Sequence, residues 1–479
     1  MDFYFTNTQS KKKELFTSQD NNNVTMYQCG PTLYWDQHIG NLRSVVLADF
    51  IVKSLHAAGY KVNFVRNYTD VGHLSGDNHG DADQGTDRME KAAKRESLSP
   101  AAIARKYREN YEKDISLLNT LPPTETPSAT EHIEEMQEMI DALIKSEYAY
   151  TTPLAVYFDT TKANDYTRLS GQKIDEQIKD SGHGLVTDPE KRNPQDFALW
   201  FFRAGAHEKA LQFWKSPFTS PLTQNGEGFP GWHIECSAMA KSLLGNTIDI
   251  HMGGVEHISI HHTNEIAQSE AANKKEYVHY WLHNEHLLVD GSKMSKSSGT
   301  SYLLKDIIEH GYDPLSLRYF FLQAHYRSKQ NFTWEALEAS SVAFLRLRKS
   351  VRSLPKDGVF DQELYYEFLS GLADDINTPR ALAVVHKILK SSIKDADKKA
   401  TIVKCDEVLG LNLTQSDSGV DTFDTQQDIP KSILKLANER LEARRAKNWS
   451  LSDEMRDIIR KNGYEITDVG DSYTIVQLS

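Results

Sequence analysis

The chain has 479 residues, 39% hydrophobic and 25% charged, the balance of an ordinary water-soluble globular protein long enough for several domains. No apolar run reaches the roughly 18–20 residues of a membrane span, and the opening Met-Asp-Phe-Tyr-Phe-Thr-Asn-Thr lacks the pattern of a secretory signal. A net charge of −12 argues against a general nucleic-acid coat or a DNA partner, and three cysteines make no disulfide framework, so a reducing, cytoplasmic setting is expected.

Residues 24–27 read as a strand, 42–58 as a helix by apolar spacing, and 61–67 as a second strand. A β-α-β unit of this kind predicts an α/β fold with a Rossmann-like parallel sheet, whose ligands sit at the carboxyl ends of the strands. Between the first strand and its helix stand Cys29-Gly30-Pro31 and His38-Ile39-Gly40-Asn41. One thiol thus lies at a strand end and one imidazole at a helix start, where free amides and the helix dipole favour an anion.

Residues 72–88 are polar and glycine-rich, and their Asp spacing does not match a calcium loop, so a surface loop is expected. Helices are expected over 89–94, 100–118 and 131–145, then short strands over 148–151 and 156–159. The α/β pattern resumes with a helix over 231–244, a strand over 247–252, a helix over 261–272 and a strand over 285–289. Beyond Leu303 the chain reads as helical, over 304–310, 314–323, 333–353, 362–372 and 379–391. Residues 414–430 have a linker's composition. Two helices (433–447, 452–461) and two strands (464–468, 473–476) make a last small α/β module. Residues 431–461 carry nine Lys or Arg against five Asp or Glu, a basic patch inside an acidic chain.

Cys236 lies in Gly-Trp-His-Ile-Glu-Cys-Ser, and His261-His262-Thr263-Asn264-Glu265 follows 25 residues later. His261 and Glu265 are four apart and share a helix face. Two thiolates, an imidazole and a carboxylate are a sensible tetrahedral zinc set, but spacing alone leaves His233, His251, His257, His261 and His262 all open. His38-Ile39-Gly40-Asn41 and Lys293-Met294-Ser295-Lys296-Ser297 form a second pair, suited to the two sides of a nucleoside triphosphate.

In these motifs, in order along nearly the whole length, the chain resembles the cysteinyl-tRNA synthetases, a class I aminoacyl-tRNA synthetase family. Residues 192–200, Pro230-Gly231-Trp232-His233-Ile234-Glu235-Cys236-Ser237-Ala238-Met239, His261–Glu270, Ala443-Arg444 and Ser452-Asp453 carry the same likeness. The resemblance implies one Zn2+ per chain held by Cys29, Cys236, His261 and Glu265. It implies L-cysteine among Gly30, Thr69, Trp232 and Glu256, and ATP with Mg2+ along His38, Gly40, Asn41 and Lys296. His38, Lys293 and Lys296 are the implied catalytic residues, and Arg444, Asp453 and Asp468 the implied anticodon contacts on tRNA(Cys). A monomer is expected.

The implied organisation is a catalytic domain in two halves, 1–120 and 206–303, around a connective insertion, 121–205. A stem-contact region follows at 304–355, with the 293–297 loop just before it. A helical bundle (356–412), a linker (413–430) and an anticodon-binding module (431–479) complete the chain. Three positions depart from the usual family pattern: Asn41 replaces a second His, Glu256 an Asp, and Val71-Gly72-His73-Leu74 a Val-Asp-Asp-Lys. Two other activities fit parts of the pattern: ligation of activated cysteine to a small amine, and RNA binding without catalysis. The first needs no module at 431–479, and an intact 293–297 motif weighs against the second.

Overall fold

The computed structural model describes residues 1–72, 87–172, 188–294, 299–415, 431–446, 448–469 and 472–477. Most of the predicted loop at 72–88, Lys296 and most of the 414–430 linker lie outside the described residues. The chain divides into two compact units, Met1–Thr414 and Gln415–Ser479.

An N-terminal hairpin, β1 (Tyr4–Asn7) and β2 (Lys12–Leu15), precedes β3 (Asn23–Gln28), α1 (Ile39–Ala57) and β4 (Lys61–Arg66). Helices α2 (Arg88–Glu96), α3 (Pro100–Leu117) and α4 (Ile133–Lys145) lead to β5 (Ala149–Thr151), β6 (Ala155–Phe158), β7 (Phe197–Phe202) and β8 (Gly228–Pro230). These four strands form one antiparallel sheet in that order, which draws its last strand from beyond residue 205. Then come α5 (Trp232–Leu244), β9 (Ile248–Gly254), α6 (His261–Asn273) and β10 (Val278–Asn284).

The central sheet has the order β10–β9–β3–β4 and every pairing is parallel. From β3 the chain builds outward to β4 on one side, and β9 and β10 build outward on the other. The β3/β9 boundary is therefore the topological switch point, where α/β sheets open a crevice for ligands. Side chains alternate by strand period: Met26, Phe64, Ile250 and Leu282 join the core that includes α1, whereas Tyr27, Val65 and Trp281 join the core packed on α4, α5 and α6.

A small sheet of β11 (Leu287–Val289), β12 (Ser292–Lys293) and β13 (Gln330–Phe332) follows, with α7 (Leu304–Glu309) and α8 (Pro314–Leu322) between. Then come α9 (Trp334–Ser353), α10 (Gln362–Ala373), α11 (Thr378–Lys390) and α12 (Asp395–Leu409). The strand expected over 285–289 is correct only at β11, which pairs with β13; the fourth strand of the central sheet is β10, which periodicity did not reveal. The β1–β2 hairpin and α12 were likewise not expected. In the second unit α13 (Lys431–Arg445), α14 (Trp449–Lys461), β14 (Tyr464–Val469) and β15 (Ser472–Gln477) enclose a core of Ile433, Ala437, Ile459, Tyr464, Ile466 and Ile475. Among the described residues no helix is long and apolar enough to cross a membrane.

Candidate active site and metal centre

The carboxyl ends of β3 and β9, the starts of α1, α5 and α6, and the turn into β12 surround a cavity of about 560 Å3. Gly30, which follows β3, accepts no side chain, because a Cβ there would lie 1.6 Å from the Asn67 carbonyl oxygen. Its amide donates to Asn67 Oδ1 at 2.9 Å, which fixes the turn that carries Cys29.

Cys29 Sγ is 3.8 Å from Cys236 Sγ and 3.6 Å from Glu265 Oε1. His261 Nε2 is 3.0 Å from the same carboxylate oxygen, one helical turn away on α6. The donor atoms of Cys29, Cys236, His261 and Glu265 all lie within 4.8 Å of one another. A second set, Cys29, His251, His262 and Glu265, meets the same limit and shares two members with the first. Cys29, Cys236 and His261 line the cavity, whereas His251 and His262 do not. His262 Nε2 lies 3.4 Å from Cys29 Sγ while its Nδ1 meets His283 Nε2 at 2.7 Å, and His251 Nε2 meets the second Glu265 oxygen at 3.0 Å. Tyr277 donates to that oxygen as well, at 3.0 Å.

The groups of this cluster act strongly on one another. The hydrogen bond from Cys29 brings the Cys236 thiol down to about 6, while burial pushes Cys29 up. Burial works against a charged His261, yet Glu265 and Cys236 outweigh it and raise this imidazole to about 10. Glu265 is held well below the carboxylate range against its own burial by His251 and His261. His261 Nε2 is buried and completes no hydrogen bond, despite the carboxylate oxygen beside it. Two sulfurs, one imidazole nitrogen left over and one ionised carboxylate fit a tetrahedral zinc ion.

In the same cavity His38 caps α1, its Nδ1 accepting from the Asn41 amide at 3.2 Å. The Ile39 amide donates to the Tyr302 carbonyl at 2.9 Å, so the helix start is tied to the segment before α7. A Cβ on Gly40 would lie 2.5 Å from Met294 Cε, so the absence of a side chain lets the 293–294 turn close on α1. Lys293, exposed on β12, lines the same cavity. The Asn41 side chain donates to Gln37 Oε1 at 2.7 Å.

Thr69, Trp232 and Glu256 also line the cavity. Thr69 Oγ1 donates to Glu235 Oε2 at 2.8 Å, and its backbone is laced to Pro31 and Leu33. Trp232 lies over His261, ring centroids 4.2 Å apart. Glu256, in the turn after β9, is 3.7 Å from His286 Nδ1. Asn67, Glu235, His251, His262 and Tyr277 complete the surroundings. Sequence reasoning named two of these histidines only as open candidates and missed the rest, because single polar residues inside apolar segments carry no local signal.

In the second unit the Arg444 guanidinium lies 5.7 Å over Trp449, Asp453 is exposed on α14, and Asp468 pairs through its backbone with Tyr473.

The model of the tRNA synthetase class I (C) catalytic domain matches residues 15–342. The chain is 41% identical to cysteine–tRNA ligase 1 of Burkholderia lata, covering 96% of this chain and 94% of that protein. It is 38% identical to the cysteine–tRNA ligase of Treponema denticola, over 96% and 97%, and 37% identical to that of Chlorobaculum tepidum, over 98% and 97%. The crystal structure of Mycobacterium tuberculosis methionyl-tRNA synthetase bound by methionyl-adenylate superposes with a TM-score of 0.53 at 16% identity, covering 81% of this chain and 90% of that one, a likeness of fold. By sequence over nearly its whole length and by the architecture of its sheet, the chain belongs to the cysteine–tRNA ligase family of class I synthetases.

Proposed function

We propose that this chain activates L-cysteine with ATP and transfers it to the 3′-terminal adenosine of tRNA(Cys). The observation that carries the reading is the juxtaposition, in one cavity wall, of Cys29, Cys236 and His261 beside Glu265, facing the capped start of α1. In the first step a cysteine carboxylate oxygen attacks the α-phosphorus and the bond to pyrophosphate breaks. In the second a ribose hydroxyl attacks the activated carbonyl, loses its proton and displaces AMP. Neither step needs a covalent protein intermediate, so positioning and charge neutralisation carry catalysis.

His38 and the α1 amides hold phosphate oxygens, with Gly40 leaving room and Asn41 adding an uncharged donor. Lys293 and Lys296 neutralise the departing pyrophosphate together with the Mg2+ that accompanies ATP. Gly30, Thr69, Trp232 and Glu256 surround the cysteine. Cys29, Cys236, His261 and Glu265 would hold one zinc ion, a borderline-soft Lewis acid that would favour a thiolate over a hydroxyl and so distinguish cysteine from serine. This set is preferred over the overlapping one because three of its members face the cavity. Arg444, Asp453 and Asp468 contact the anticodon, and the enzyme acts as a cytoplasmic monomer. Charging of tRNA(Cys) with radiolabelled cysteine by the purified chain tests the reading; no charging under conditions that support a relative would overturn it.

A further inference from the structure

Arg66, the last residue of β4, is 1% exposed. Its Nε donates to Gln28 Oε1 at 2.8 Å, but both terminal nitrogens are buried and complete no hydrogen bond. Among the described residues no carboxylate pairs with it; the Phe64 ring lies 5.1 Å from the guanidinium carbon, and the buried Tyr111 phenol, an uncharged partner, also interacts with it. A buried cation with only neutral partners is costly, and such groups call for a specific counter-charge.

Gln28 stands opposite Arg66 in the β3–β4 register and turns its amide nitrogen to Ser44 of α1, 3.2 Å from both Ser44 O and Ser44 Oγ. With Gln28 donating into Oγ, the Ser44 hydroxyl keeps its own proton to give away. Gln28 and Ser44 line the cavity, as do Gly30 and Tyr111. The Arg66 stem passes 3.2 Å from where a Gly30 Cβ would stand, and its charge acts on the Tyr111 phenol. Ser44 is three residues beyond Asn41 on α1, so both share the helix face that opens on the cavity.

We propose that Arg66, Gln28 and Ser44 form a polar relay that binds an anionic group of the ligand, with Ser44 donating to the anion and Arg66 supplying the buried counter-charge. The neighbourhood of His38 and Asn41 favours a phosphate of ATP, and the cysteine carboxylate is the other source of the same chemistry. The inference rests on the function proposed above.

Steady-state ATP–pyrophosphate exchange on the full chain separates the sources. Ser44→Ala is expected to raise KM for ATP about tenfold with kcat and zinc content unchanged, the loss of one charge-assisted hydrogen bond. Ser44→Thr keeps the hydroxyl and should stay within about threefold of wild type. Arg66→Met should act in the same direction, and Ser44→Ala added to it should cost less than it does alone, as for members of one network. A rise confined to KM for cysteine assigns the relay to the carboxylate. Both KM values within twofold of wild type in Ser44→Ala, or equal damage from Ser44→Thr, would overturn the relay. Calorimetric titration with ATP alone gives an independent reading: weaker binding by Ser44→Ala upholds a phosphate relay even where cysteine activation is absent, an absence that sinks the proposed function instead.

Discussion

Cys29 and Cys236 are 207 residues apart in the chain and their sulfurs are 3.8 Å apart in the fold. The contact exists because β3 ends, and the helix after β8 begins, at the switch point of the sheet. With His261 and Glu265 they make a donor set whose ligand atoms all lie within 4.8 Å of one another. Purified protein is therefore expected to carry about one zinc per chain, and Cys236→Ser to retain less than about a tenth of it, by atomic absorption. A full complement in the variant would assign the metal elsewhere.

Gly30 is the tightest point of the site, with Asn67 O where a Cβ would stand. Gly30→Ala must move the β3 turn or the Asn67 strand end. It should lower stability by about 1–3 kcal/mol in urea unfolding and reduce cysteine-dependent ATP–pyrophosphate exchange by more than tenfold. Unchanged exchange would mean that the turn does not position the reaction.

A buried charge network joins α1 to the helices beyond residue 303. Arg318 donates to Asp49, to the Leu409 carbonyl at 2.7 Å and to the Leu118 carbonyl at 2.8 Å, and Lys53 pairs with Asp49 at 2.9 Å. Arg318→Met removes one of the two cationic partners of the buried Asp49 and the donor to the Leu409 and Leu118 carbonyls, and a loss of about 3–5 kcal/mol is expected in denaturant unfolding. Asp49→Asn combined with it should cost less than the sum of the single changes. Strict additivity would show that the two groups do not act as a unit.

Asp114 on α3 is raised from 3.8 to about 6, by burial first and then by the charge of Asp36. The folded chain thus holds this proton more tightly than the unfolded one. The contribution is fully favourable below about pH 4 and is lost as the pH rises to about 6. Asp114→Asn should flatten that part of the stability–pH curve and raise the urea midpoint at pH 7. A wild-type curve with no fall over this range that the variant removes would contradict the assignment.

Much of this was legible in the sequence. The β3–α1–β4 unit was plain because the period of apolar residues changes from two to 3.6 and back. The pairing of His261 with Glu265 followed from their spacing on one helix face. The choice among five histidines did not, since the sheet topology, not spacing, decides which imidazole meets Cys29 and Cys236. Strand β10 was hidden because His279, His283 and Asn284 interrupt its apolar residues, and the burial and hydrogen bonding of His283 are properties of the folded state. Helix α12 opens with Asp395, Asp397, Lys398 and Lys399, which blur its apolar face.

The most direct test is ATP–pyrophosphate exchange by the zinc-loaded wild-type chain with cysteine and with serine, side by side. Robust exchange with cysteine is expected, with a kcat/KM for serine lower by at least about a thousandfold, beyond what an apolar pocket achieves for so small a change. Equal exchange with the two amino acids, or none with cysteine, would contradict it.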